Sequence, residues 1–157
     1  MTVVNGWRLF AHEIFARRLR ALKDEERRLC AKDPEGYKGH PTTILLARVV
    51  RSITGAVPAD PDHRDFRLGK TLGKAYAHWR RVKRGLPPRY RLFFRFASRP
   101  ARIIVYVWLN DEATLRKAGA KTDVYSVFQR MLARGALPDS LDALLAASTT
   151  IDADHDG

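Results

Sequence analysis

HWRRVKRGLPPRYRLFFRF, residues 78–96, sets apolar and basic side chains in alternation on either side of a Gly-Leu-Pro-Pro turn. Alternation with a period of two marks a strand with one buried face. Two such arms around a turn read as a β-hairpin. On the second arm Tyr90, Leu92, Phe94 and Phe96 share one side, and Arg89, Arg91, Phe93 and Arg95 share the other. The first set is a core surface; the second is a cationic face with one aromatic ring set into it. On the first arm Trp79, Arg81 and Lys83 alternate with His78, Arg80 and Val82. Pairing register decides which of these joins the cationic face.

The hairpin carries seven Arg and Lys residues and no acid. Ordinary surfaces intersperse both signs. Guanidinium groups hold phosphate oxygens through forked hydrogen bonds. Aromatic rings stack unpaired bases, for about 1–3 kcal/mol each. Arg80, Arg84, Arg89, Arg95, His78 and Trp79 are therefore candidates for binding single-stranded RNA or DNA. The whole chain agrees: 29 Lys and Arg against 17 Asp and Glu leave a formal charge of +12 over 157 residues. That excess favours polyanions, with nucleic acid first and an anionic membrane surface second.

Outward from the hairpin, Phe15, Leu19, Leu22 and Leu29 fall near one face of a helix over 13–31. KDPEGYKGHP is a loop, with Pro41 placed to open a second, more apolar helix that stops at Gly55. AVPADPDHRD reads as a surface loop. IIVYVWL, residues 103–109, is apolar on both parities, as in a central strand covered on both faces. Asn110 or Asp111 caps a short helix ending near Gly119. Thr122 or Asp123 caps another, with Val124, Phe128 and Leu132 at helical spacing and Gly135 as its stop. PDSLDALLAAS forms a last short helix, and TTIDADHDG is a loose acidic tail. Helices first and strands later give an α+β class. One domain over 1–138, followed by the short helix and tail over 139–157, is the expected division.

Several chemistries drop out. LGKTLG lacks the upstream glycine of a phosphate loop, since Arg64 stands there. The five histidines have no metal-ligand spacing, and Cys30 is the only cysteine, so no internal disulfide forms. No serine sits in a nucleophile elbow. The expected chemistry needs no cofactor and no metal. The first ten residues lack the pattern of a secretion signal, and no apolar run spans a bilayer. The expectation is a soluble cytoplasmic protein with no membrane partner.

VNGW, KDPEGY, FRLGKTLG, RVKRG, RYRLFFRF and WLNDEATLRKAGAKTDVYSVFQRML stand in this order over residues 4–135. Together they closely resemble the YhaV family of type II toxins, within the RelE-like superfamily of endoribonucleases. The resemblance implies a small curved, mainly antiparallel sheet packed against two N-terminal helices, with short C-terminal helices. It implies cleavage of messenger RNA at or near the ribosome, a PrlF-like antitoxin, and operator DNA as a target of the toxin–antitoxin complex. Carried over by motif, its functional positions are Arg81, Arg91, Lys121 and Tyr125.

Those residues suit metal-independent cleavage in which the 2′-hydroxyl of the RNA is the nucleophile. Arg81 and Arg91 are placed to stabilise charge on the attacked phosphate. Lys83 or Lys121, crowded by neighbouring cations, is the candidate for proton transfer, and Tyr125 for orienting the 2′-hydroxyl or base. Two rivals use the same charge: a nucleic-acid-binding module that cleaves nothing, and a toxin that acts on gyrase by protein contact.

Overall fold

A mixed six-stranded sheet runs through the computed structural model, which describes residues 2–151. Its order is β1 (Val3–Val4), β2 (Trp7–His12), β5 (Ile103–Leu109), β4 (Leu92–Ala97) and β3 (Arg80–Val82). The sixth strand, β6 (Ser148–Thr150), also pairs with β2. Every named pairing is antiparallel except β2 with β5. A parallel pair needs a long crossover, and here α1 (Glu13–Lys32) and α2 (Pro41–Arg51) lie within it.

Helix α1 begins where His12 Nδ1 accepts the Ile14 N–H, and it buries Phe15, Leu19 and Leu22. Pro41 opens α2, where its missing N–H costs nothing. These helices cover the sheet face carrying Leu9, Leu92, Phe94, Ile104 and Tyr106. The other face, carrying Phe93, Val105, Val107 and Trp79, is covered by α3 (Val124–Ala133) and α4 (Leu141–Ala146). β5 is thus buried from both sides, as its doubly apolar sequence requires. Phe128 of α3 stacks on Phe93 at 3.9 Å between centroids and meets Trp79 edge-on at 5.0 Å. Such ring pairs add about 0.5–1.5 kcal/mol each beyond the area they bury.

Five expectations are corrected. The second helix does not stop at Gly55: a π turn over Ser52–Ala56 and a helical turn over Val57–Ala59 continue it. Ser52 and Thr54 hydroxyls donate to the Arg48 and Val50 carbonyls, the back-bonding that bends helices. The supposed surface loop consequently begins with buried Val57 and Pro58. The hairpin is not tight, because residues 83–91 separate its strands. The helix after Asp111 ends at Thr114 as a 3₁₀ turn, its last carbonyl taken by the Asn110 side chain at 2.8 Å. The tail is not loose from its start: β6 joins the sheet, and buried Ile151 donates its N–H to Leu9 at 3.0 Å. The acidic positions 152–157 lie outside the described residues.

Register settles the hairpin. Arg80 pairs with Phe94, Arg81 with Phe93 and Val82 with Leu92. Paired residues share a face, so Arg81 joins Arg91, Phe93 and Arg95, while Arg80 lies on the side of α1 and α2. The cationic face is not open, because α3 lies on it through Phe128.

Candidate active site

Tyr125 sits in the first turn of α3, which Asp123 caps by accepting the Tyr125 N–H at 3.2 Å. Its ring packs edge-on against Phe93 at 5.9 Å. Its hydroxyl oxygen lies where the two hairpin arms meet, and it accepts Nε–H bonds from both Arg81 and Arg91, each at 3.0 Å. Arg81 is held further by the carbonyls of Arg67 at 2.8 Å and Asp65 at 3.3 Å. Arg91, only 7% exposed, donates Nη1–H to the Tyr90 carbonyl at 2.8 Å. A third guanidinium, Arg116, lies 5.0 Å from the Tyr125 ring centre.

Three other arginines pair with carboxylates. Arg80 and Arg67 reach Asp62 at 3.1 and 3.4 Å, and Arg116 reaches Asp123 at 2.7 Å. Among the described residues Arg81 and Arg91 have no carboxylate partner; their bonds go to a phenol and to carbonyls. Charge removed from water without a counter-charge is costly. Two such cations meet at one oxygen.

Asp123 fixes this arrangement. Burial alone would raise its pKa, but bonds from Arg116, the Lys117 N–H and the Tyr125 N–H outweigh burial and hold it below the ordinary carboxylate value. A carboxyl whose folded pKa is depressed stabilises the fold above its unfolded pKa of about 3.9, and that stabilisation disappears as pH falls through the folded value. Asp123→Asn is therefore expected to melt below wild type at pH 7, with the gap closing as pH drops below about 4. A gap of constant size across a pH series of thermal melts would show that the charge of Asp123 contributes nothing.

The remaining sequence candidates are dispersed. Lys83, Lys121, Arg84 and Arg89 are exposed. Arg84 faces Asp65 at 3.7 Å, and Arg89 donates to the Arg116 carbonyl at 3.0 Å. His78 Nε2 lies 2.8 Å from Asp139, Trp79 Nε1–H donates to the same carboxylate at 2.7 Å, and Arg95 donates to the Asp139 carbonyl. Burial opposes the charge on Asp139, yet the Trp79 and His78 bonds keep its pKa below the ordinary value. Trp79 is fully buried, so it offers no face to a base. Arg80 lies across the sheet from Tyr125, on Asp62 and over the Phe96 ring.

The structure brings Arg81, Arg91 and Tyr125, candidates from the family resemblance, to one point; Arg116 is not among the candidates. No periodicity signals Arg116, since it lies in an irregular segment between Thr114 and the cap of α3. Asp123 is anticipated as a cap but not as its partner. Among the described residues no group of three His, Cys, Asp or Glu could hold a metal ion, and no helix is long and apolar enough to cross a membrane.

Comparison with known proteins identifies the family of the chain. The model of a family described as a toxin with endonuclease activity, of a toxin–antitoxin system, matches residues 9–149. Toxin YhaV of Escherichia coli O6:H1 strain CFT073 and ribonuclease toxin YhaV of Escherichia coli strain K12 are each 44% identical over 142 residues, covering 90% of this chain and 91% of theirs. No solved structure gives a significant match. The chain belongs to the YhaV family of toxins, the endonuclease partners of toxin–antitoxin systems.

Proposed function

We propose that this toxin is an endoribonuclease that cleaves messenger RNA with the substrate's own 2′-hydroxyl as nucleophile, at the point where Arg81, Arg91 and Tyr125 meet. The observation that carries the reading is the pair of guanidiniums without carboxylates, both aimed at one hydroxyl. A scissile phosphate beside that hydroxyl supplies the missing negative charge. The 2′-oxygen attacks phosphorus, the bond from phosphorus to the 5′-oxygen breaks, and a 2′,3′-cyclic phosphate and a 5′-hydroxyl result. Charge grows on the non-bridging oxygens during attack. Fixed cations stabilise that charge more than the ground state, and so lower the barrier.

Tyr125 supplies the proton. A phenol oxygen has two lone pairs and one O–H. Arg81 and Arg91 occupy the lone pairs, so the O–H can only donate. It donates to the departing 5′-oxygen, and the resulting phenolate stays between two cations. The 2′-hydroxyl proton leaves to water. Lys83 and Lys121, both exposed, serve as cations for flanking phosphates. The wider reading is a RelE-like toxin acting on message at the ribosome, with a PrlF-like antitoxin whose acidic segment covers the cationic site.

Purified toxin should cleave a short RNA in the presence of EDTA and leave a 2′,3′-cyclic phosphate. A single 2′-deoxy substitution at the cleaved position should abolish cleavage there. Cutting of the 2′-deoxy substrate, or dependence on a divalent ion, would defeat the mechanism. Binding with no cutting of any RNA would favour a recognition module.

A further inference from the structure

Arg91 lies one residue outside strand β4, so the ladder does not include it. Its backbone is held by Asn110, the first residue beyond β5. The Asn110 Oδ1 accepts the Arg91 N–H at 2.8 Å, and the Asn110 N–H donates to the Arg91 carbonyl at 3.4 Å. The Asn110 side-chain amide also donates to the carbonyls of Arg89 at 3.2 Å and Thr114 at 2.8 Å. Its own carbonyl accepts Arg18 Nη2–H from α1 at 3.2 Å. Asn110 is fully buried, and both ends of its amide are in use.

The two segments it joins carry the guanidiniums that flank Tyr125. Arg91 reaches the hydroxyl and Arg116 lies over the ring. The segments also bond each other: the Arg116 N–H donates to the Arg89 carbonyl at 2.9 Å, and Arg89 Nε–H to the Arg116 carbonyl at 3.0 Å. Between them Arg89 holds φ +74°, a left-handed conformation that side-chain-bearing residues seldom adopt. Such a conformation persists only where its surroundings over-determine it. The Asn110 amide is one of the groups that do so.

We infer that Asn110 is the positioning residue that sets Arg91 against the Tyr125 hydroxyl. Its direct bonds go to the backbone of Arg91 and of the neighbouring segment, so the inference rests on the proposed role of Arg91 and adds a residue to it. Aspartate at this position would keep the acceptor for the Arg91 N–H but turn a carboxylate oxygen towards two carbonyls. Alanine would release both segments.

The test compares Asn110→Ala in wild-type and Arg91→Ala backgrounds, with folding checked by thermal melts. In wild type the change should lower kcat about 10- to 100-fold, the cost of a misplaced group, with KM little changed. In the Arg91→Ala background it should cost less than about twofold, because the group being positioned is gone. Equal losses in both backgrounds, or no loss in wild type, would overturn the inference. A second readout needs no activity and covers poor folding of the alanine variant: the arginine Nε–H resonance of Arg91, in Asn110→Asp. Bonded to Tyr125, it should be resolved and slow to exchange in wild type and should lose that protection in the variant. An unchanged resonance would sink the idea. Failure of the underlying reading shows separately, as full RNA cleavage by Arg91→Ala itself.

Discussion

Arg91→Ala and Arg81→Ala are each expected to lower kcat for RNA cleavage by about 10²–10³-fold, with KM little changed, the usual loss when one donor to a transition-state oxyanion is removed. Lysine should not restore Arg91. The guanidinium donates Nε–H to Tyr125 and Nη1–H to the Tyr90 carbonyl at once, and an ammonium cannot reproduce that fork. Stability should respond far less than rate. Two Nε atoms each 3.0 Å from one oxygen lie within about 6 Å of each other. Like charges at that separation repel by about 3 kcal/mol at an effective dielectric of 20. Removing one cation relieves this repulsion and offsets the packing lost with its stem, so the melting temperature should move by only a few degrees. Cleavage rates, growth arrest on expression and thermal melts together decide the matter. A folded Arg91→Ala or Arg81→Ala toxin that cuts at the wild-type rate has no need of that cation.

The local pattern carried much of this architecture. Alternation over residues 90–96 separates the faces correctly: Leu92 and Phe94 lie in the core under α1 and α2, and Phe93 in the core under α3. The cap Asp123 acts as its residue type requires. Register was not legible, because period-two alternation is equally satisfied by two pairings. Only the match of Val82 with Leu92 places Arg81 beside Arg91 and sends Arg80 to Asp62. Neutralisation was not legible either. The hairpin contains no acid, but Asp62, Asp65 and Asp139 come to it from 18 to 61 positions away and engage Arg80, Arg84 and His78. Two of the seven cations, Arg80 and Arg84, therefore gain a carboxylate partner in space. The resemblance to known toxins points to Arg81, Arg91 and Tyr125, whereas their meeting at one hydroxyl is a tertiary fact.

Tyr125→Phe separates the two halves of the proposed mechanism. The ring contacts to Phe93 and Arg116 survive the change, so the fold should hold. The hydroxyl does not survive, and Arg81 and Arg91 lose their shared acceptor. Loss of general-acid help typically costs about 10²–10⁴-fold, and kcat should fall within that range. A substrate whose 5′-bridging oxygen is replaced by sulfur tells the roles apart, because a thiolate leaves without a proton. On that substrate Tyr125→Phe should recover to near the wild-type rate. Arg91→Ala should stay slow on it, since charge on the non-bridging oxygens still needs a cation. If sulfur rescues neither variant, Tyr125 does not supply the leaving-group proton and serves only to align the two guanidiniums. If sulfur rescues both, Arg91 acts on the leaving group rather than on the phosphate.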